Sequence, residues 1–135
     1  MSRHVVVDTD VVSFLFKKDS RAEKFRPFLD GKTPVVSFMT VAELYRWTLV
    51  RNWGVRRVAK LEEYLRQFAV YPFNDALCKA WARATNSAEK KRRPITTADA
   101  WIAATAALYD TPLVTNNSAD FQGVEGLVIL SPKSD

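Results

Sequence analysis

Short apolar runs rich in valine alternate with helix-length segments along this chain, and this alternation constrains the fold more than any other feature. The first run, residues 4–8, contains three consecutive valines and ends at Asp8. Such runs are typical of strands buried on both faces of a parallel sheet, although so short a run can also begin a helix. The alternation predicts an α/β domain with a mostly parallel central sheet flanked by helices.

The predicted elements follow from the positions of valines, prolines, glycines and capping residues. About five short strands are expected, at residues 4–8, 33–38, 68–71, 113–114 and 127–130. Helices are predicted at residues 11–17, 21–29 (capped by Ser20), 40–52, 55–67, 75–92 (capped by Asn74) and 97–109. The sequence contains no internal repeat and no linker, so we expect a single domain over residues 1–135.

Composition limits the class of protein and its partners. The net charge of +5 and the pI of about 9.5 favour an anionic partner, which could be nucleic acid, an acidic protein or a membrane surface. No apolar run approaches the roughly 20 residues that span a bilayer, and no signal-peptide pattern opens the chain. With a single cysteine, we expect a cytoplasmic protein without a membrane role. The lone His4 excludes a two-histidine acid–base nuclease mechanism.

Four acids occupy positions where α/β proteins place their sites, namely strand ends and helix starts. They are Asp8, Glu43, Asp99 and Asp120. Each also has a structural explanation. Residues 40–43 and 96–99 both match a helix capping box, and Glu43 can pair with Arg46. Asp8 and Asp120 can form turns.

Taken together, the four acids favour a metal site. Asp99 shares a helix face with Ile102, Ala103 and Ala106, so its carboxylate is expected along buried surface. A buried carboxylate without a partner is costly, and converging carboxylates repel one another unless a cation lies among them. Oxygen-only ligands suit the hard cations Mg²⁺ and Mn²⁺.

Four segments of the chain resemble the motifs of PIN domains. Residues 5–13 read VVVDTDVVS, residues 40–44 TVAEL, residues 97–104 TADAWIAA and residues 113–121 LVTNNSADF. One such motif is weak, but four in order at family-like spacing are specific, and together they span residues 4 to about 130. The chain therefore resembles PIN-domain ribonucleases, in particular the VapC-like toxins of type II toxin–antitoxin systems.

This resemblance implies a single PIN-like domain that acts as an endoribonuclease dependent on Mg²⁺ or Mn²⁺. Its catalytic residues would be Asp8, Glu43, Asp99 and Asp120, of which the first three would hold the metal and Asp120 would act through water. Thr9, Thr40, Thr115 and Asn117 would support them. The implied partners are a structured RNA such as tRNA, a cognate antitoxin protein and a second copy in a homodimer.

Asp10 departs from the family pattern, which often has asparagine at this position. Its carboxylate could bind metal or could cap a helix beginning at Val11, and capping is the favoured interpretation. Two basic segments are also open to interpretation. Residues Lys90, Lys91, Arg92 and Arg93 are either a solvated helix end or contacts for RNA phosphates. Arg51, Arg56 and Arg57 around Trp53 could contact RNA or a partner protein.

Two other classes of function fit parts of the sequence. Asp8 and Asp10 after an apolar strand also fit a haloacid-dehalogenase-like phosphatase, in which the first aspartate attacks phosphate. That chemistry needs a lysine and an acidic pair downstream, and the chain after Asn116 is too short for them. A non-catalytic RNA- or protein-binding module would instead leave all the acids with structural roles.

Overall fold

The computed structural model describes residues 3–132, which form an all-parallel five-stranded sheet with helices on both faces. The strands are β1 (His4–Val7), β2 (Thr33–Ser37), β3 (Ala69–Tyr71), β4 (Leu113–Val114) and β5 (Ile129–Leu130). The helices are α1 (Thr9–Lys17), α2 (Arg26–Leu29), α3 (Phe38–Val50), α4 (Val55–Leu65), α5 (Asp75–Lys90) and α6 (Thr97–Leu108), and 3-10 helices lie at Ser20–Lys24 and Ser118–Phe121. The predicted fold class is confirmed.

The strand order β3-β2-β1-β4-β5 places the start of the chain at the centre of the sheet. The chain moves outward from β1 to β2 and β3, and then returns to β4 on the other side of β1. The register pairs Val6 with Val35 of β2 and with Leu113 of β4. Ligands of open parallel sheets bind at the carboxyl ends of strands where the chain changes direction in this way. That position lies between β1 and β4.

Burial on both sheet faces explains the unbroken valine run of β1. Val5 and Val7 pack with α1 and α4, in a cluster that includes Val11 and Leu61. Val6 faces the opposite layer and packs with Ile102 of α6. All three valines of β1 are at most 1% exposed. The sheet is therefore the middle layer of three. The first residue after β1 lies at the end of a strand that is covered on both faces.

Two predicted helix starts were wrong because nearer side chains act as caps. Helix α1 begins at Thr9, since Asp8 Oδ1 accepts from the Thr9 amide at 2.8 Å. Helix α3 begins at Phe38, since Ser37 Oγ accepts from the Met39 amide at 3.0 Å. Thr40 therefore does not cap a helix, and the capping box proposed for residues 40–43 does not exist.

Elsewhere the capping predictions gave mixed results. Asn74 caps α5, and Thr96 Oγ1 accepts from the Asp99 amide at 3.1 Å at the start of α6. The predicted helix over residues 21–29 is instead a 3-10 helix capped by Asp19, not Ser20, followed by the single turn of α2 with Pro27 at its start. Proline lacks an amide hydrogen and is tolerated only in a first helical turn. None of the helices that the described residues form is both long and apolar enough to cross a bilayer.

Gly123 joins the last loop to α5 by a close backbone approach. A β-carbon on Gly123 would lie 2.6 Å from the Arg93 carbonyl oxygen and 2.9 Å from Ala88 Cα. We expect Gly123→Ala to lower the free energy of unfolding by about 2 kcal/mol, because backbone atoms must move to relieve the overlap. Gly54→Ala meets no atom within 4 Å and loses only the preference for glycine over alanine at the N-cap of α4, so it should cost less, about 0.5 kcal/mol. Urea unfolding of both variants measures this, and equal losses would contradict it.

Candidate active site

Asp8 lies at the carboxyl end of β1 and is held from two sides. Its side chain is buried, with Oδ1 accepting from the Thr9 amide at 2.8 Å and Oδ2 accepting from Thr115 Oγ1 at 2.7 Å. Thr115 directly follows β4, so this hydrogen bond connects the ends of the two central strands. The carboxylate of Asp8 is therefore fixed at the point where the strand order reverses.

Burial raises the pKa of Asp8 to about 7. Desolvation is the largest cause, and the hydrogen bonds from Thr115 and Thr9 oppose it. The negative charges of Asp99 and Asp10 raise the pKa further. Ionised Asp8 is therefore costly to the fold unless positive charge is supplied nearby.

Two buried threonines hold Glu43 of α3. Thr9 Oγ1 lies 2.7 Å from Glu43 Oε1 and 3.0 Å from Thr40 Oγ1. An ionised carboxylate only accepts and a hydroxyl carries a single proton, so Thr9 donates to Glu43 and Thr40 supplies the proton of the other bond. The two threonines connect α1 with α3 and fix one oxygen of Glu43. This hydrogen bonding is the structural role of the two buried hydroxyls.

Asp99 occupies the first turn of α6 and is partly buried. Its pKa is raised to about 6, chiefly by burial, while a hydrogen bond with Thr96 lowers it. The negative charges of Asp120, Glu43 and Asp10 each raise it as well. Asp99 thus has the capping-box partner that the sequence predicted, and it also shares a neighbourhood with the other acids.

The acids form one electrostatically coupled group, which we call the acidic site: Asp8, Asp10, Glu43, Asp99 and Asp120. Asp120 is its most exposed member and lies on the 3-10 helix after β4. In the part of the chain that the structure describes, no three Asp, Glu, His or Cys side chains lie close enough to hold a metal ion directly. Any cation at the acidic site would therefore keep several of its waters, as Mg²⁺ commonly does.

Asp10 belongs to the acidic site and does not cap a helix. Asp8 is the cap of α1, so the favoured interpretation of Asp10 was wrong. Asn117 Nδ2 donates to Asp10 Oδ2 at 2.7 Å, and the Asn117 amide donates to Thr115 Oγ1 at 2.9 Å. The closing loop therefore contacts both carboxylates of the first motif, one through Thr115 and one through Asn117.

The basic run Lys90, Lys91, Arg92 and Arg93 lies at the end of α5 and is exposed. Among the described residues, the ion pairs and side-chain hydrogen bonds of the acidic site include none of these four cations. Sequence reasoning missed a different cation, Arg21, which forms a two-point contact with Asp19 and interacts electrostatically with Asp10. The sequence feature that could have identified this cation is the spacing of Asp19 and Arg21 at a helix start.

The fold and the site define a class of protein: an α/β domain with acids clustered where the strand order of its parallel sheet reverses. The match to a family model identifies the family. The family model described as PIN domain matches residues 5–127, and the chain belongs to this family. The ribonuclease VapC1 of Haemophilus influenzae (strain R2866) is 31% identical to this chain over 127 residues, which cover 90% of this chain and 92% of that protein. The predicted resemblance is confirmed.

Solved structures of relatives have the same fold. VapBC-1 from nontypeable Haemophilus influenzae matches with a TM-score of 0.79 and 26% identity, covering 95% of this chain and 97% of that chain. VapBC2 from Rickettsia felis, solved bound to a DNA fragment from its promoter, matches with a TM-score of 0.81 and 21% identity, covering 95% and 98%.

Proposed function

We propose that this chain is a divalent-metal-dependent endoribonuclease and the toxin of a toxin–antitoxin pair. The observation that carries the proposal is the fixed, buried Asp8 at the switch point of the sheet, electrostatically coupled to Asp99, which is in turn coupled to Glu43. The names of the relatives support it, since the matching protein of Haemophilus influenzae is a ribonuclease. Structured RNA such as tRNA is the proposed substrate.

The donor chemistry of the acidic site fits Mg²⁺ or Mn²⁺. Every donor is a carboxylate oxygen, and the raised pKa values of Asp8 and Asp99 mark a place where negative charge is poorly compensated. Asp8, Glu43 and Asp99 would hold the ion, mostly through its waters. When bound, the metal would supply an activated water and neutralise charge on the scissile phosphate.

The residues of the chain would orient this chemistry. Thr115 and the Thr9 amide fix both oxygens of Asp8, and the hydroxyl of Thr9, backed by Thr40, fixes Glu43. Asp120, exposed at the rim, would act through a water. Asn117 would hold the closing loop against the site through Asp10.

Two protein partners complete the proposal. The solved VapBC relatives support a cognate antitoxin, and an arginine from it would satisfy the carboxylates of the acidic site in place of the metal. A homodimer is the second proposed assembly. Leu49, Val50 and Val55 are 77%, 62% and 87% exposed at the junction of α3 and α4, and they offer apolar surface for a second copy. With RNA as substrate, the protein would act in the cytoplasm.

A comparison of substrates tests the proposed reaction. Purified chain with Mg²⁺ should cut a tRNA internally, giving fragments on a denaturing gel, and should leave p-nitrophenyl phosphate intact. Hydrolysis of the phosphomonoester without RNA cleavage would favour the phosphatase alternative. Absence of both activities with Mg²⁺ and with Mn²⁺ would favour a non-catalytic binding module.

Asp10→Asn should weaken Mn²⁺ binding by about fivefold to tenfold, because it removes one negative charge near Asp8 and Asp99 while an oxygen can still accept from Asn117. Calorimetric titration of the metal measures the effect without RNA. Asp75→Asn, which neutralises an exposed acid on α5, is the matched control and should bind as the wild type does. Equal affinities of the wild type and Asp10→Asn would exclude Asp10 from the metal site.

A further inference from the structure

A basic groove lies between the last turn of α1 and the outer face of α4, at the other end of α1 from Asp8 and Asp10. Its volume is about 690 Å³, and Leu15, Phe16 and Tyr64 contribute apolar parts of its lining. Glu63 is the one carboxylate of its lining, against five cations: Lys17, Lys18, Arg56, Arg57 and Lys60. Such an excess of one charge in a groove favours an extended anion over a neutral ligand.

One cation of this groove, Arg57, is held in place by an aromatic ring. The Arg57 guanidinium lies 3.9 Å from the centre of the Trp53 ring. Trp53 in turn stacks with Phe16 at a centroid distance of 5.9 Å, and Phe16 contacts Tyr64 at 5.5 Å. The aromatic cluster thus supports a guanidinium at the groove edge. A pre-positioned cation loses less freedom when it binds an anion.

The lowered pKa of Lys17 indicates repulsion among the cations. Partial burial lowers its pKa, and the positive charges of Arg51, Arg57 and Arg21 lower it further, whereas Asp19 opposes them only in part. The groove therefore contains more positive charge than its own carboxylates neutralise. A bound polyanion would offset this repulsion.

Arg21 connects the groove with the acidic site. Its Nε and Nη2 bond to the two oxygens of Asp19 at 3.0 and 2.7 Å, and its guanidinium lies over Phe14 at 4.1 Å. Arg21 interacts electrostatically with Asp10 on one side, and it acts on Lys17 on the other. Arg21, Lys17, Arg57 and Lys60 are together called the cationic track. Lys17, Arg57 and Lys60 line the groove, and the contact of Arg21 with Phe14 places Arg21 one turn of α1 from Asp10.

We propose that the cationic track binds the phosphate backbone of the RNA strand that enters the acidic site. The inference rests on the proposed ribonuclease function and names the surface that the substrate crosses. Clustered carboxylates repel phosphates, so a ribonuclease of this kind needs cations adjacent to its acids to bring the strand there. The track meets this need through Arg21, which lies over Phe14 one turn after Asp10.

RNA binding without metal tests the track separately from catalysis. A fluorescein-labelled single-stranded RNA is titrated with protein in EDTA at several salt concentrations. For Lys17→Gln/Arg57→Gln we expect about tenfold weaker binding, and a salt slope of the logarithmic binding constant smaller by about 1.4, since each phosphate contact of a single strand contributes about 0.7. The control Lys79→Gln/Arg83→Gln, on α5, should bind as the wild type does, as should Lys90→Gln/Lys91→Gln.

A second pair of substitutions guards against loss of folding. Lys17→Gln/Lys60→Gln leaves the contact of Arg57 with Trp53 intact and should reduce the salt slope equally, at an unchanged melting temperature. The proposal is overturned if the track variants and the α5 control lose affinity alike. It is also overturned if the track variants keep full RNA affinity and lose only the binding of a polyglutamate peptide. RNA that binds the track but remains uncut with Mg²⁺ would refute the proposed catalysis and leave the track standing.

Discussion

Replacing Asp99 with asparagine should slow RNA cleavage by about a hundredfold or more, while the melting temperature of the metal-free protein stays unchanged or rises. Asp99 is coupled to Asp120, Glu43 and Asp10, all of the same charge. Removing its charge relieves repulsion in the folded chain but deprives the site of a proposed metal donor. The backbone amide at position 99 can still donate to Thr96, so the start of α6 is preserved.

Asp110→Asn is the matched control for this prediction. Asp110 is an exposed acid just beyond the other end of α6, with a φ of 50° that asparagine adopts readily. It should leave both cleavage and melting temperature near the wild-type values. A large fall in melting temperature for Asp99→Asn, measured without metal, would show that this carboxylate serves the helix cap and not a metal.

Asp8→Asn should stabilise the metal-free protein at neutral pH by at most roughly 4 kcal/mol, as a shift of about three pKa units implies, less the one hydrogen bond that the asparagine amide nitrogen cannot accept. The pKa of Asp8 is raised from 3.8 to about 7 in the folded chain. Well below pH 4 the group is protonated in both states and costs nothing. As the pH rises toward 7 the unfolded chain releases the proton first, so the free energy of unfolding falls, and above 7 the full cost is present.

Urea unfolding in EDTA, from about pH 4 to about pH 8, measures this difference. The wild type should lose stability relative to Asp8→Asn across that range, with most of the difference developed by pH 7. Saturating Mg²⁺ should restore stability to the wild type and not to the variant, because the cation offsets the buried charge. Parallel pH profiles for the two proteins would mean that Asp8 carries no such cost.

The sequence was sufficient to predict the sheet and the principal acids. An unbroken run of valines is compatible with burial on both faces, and an acid directly after such a strand must lie at the sheet edge where parallel folds bind ligands. The position of Asp8 follows from this local reasoning, and that of Asp99 follows from the cap at the start of α6. The caps Asn74 and Thr96 also follow from local reasoning, because a cap acts within three residues of its own position.

Contacts between residues that are far apart in the sequence could not be predicted by the same local reasoning. The bond from Asn117 to Asp10 and the bond from Thr115 to Asp8 each join residues 107 positions apart. Thr9 likewise meets Glu43 only after α1 and α3 have packed. The assignments of Asp10 and Thr40 as caps were wrong because Asp8 and Ser37 cap α1 and α3. The contacts that Asp10 and Thr40 make instead are long-range and are not encoded in local patterns.

Cleavage of one RNA by the wild type and by Asp8→Asn, with Mg²⁺ and with EDTA, tests the central claim most directly. The wild type should cut in Mg²⁺ and stop in EDTA. The Asp8→Asn variant should be slower by about two orders of magnitude or more in Mg²⁺ although it is the more stable protein, because the missing carboxylate would anchor the metal. An Asp8→Asn variant that cuts at the wild-type rate, or a wild type that cuts equally well in EDTA, would contradict a metal-dependent ribonuclease site at this edge of the sheet.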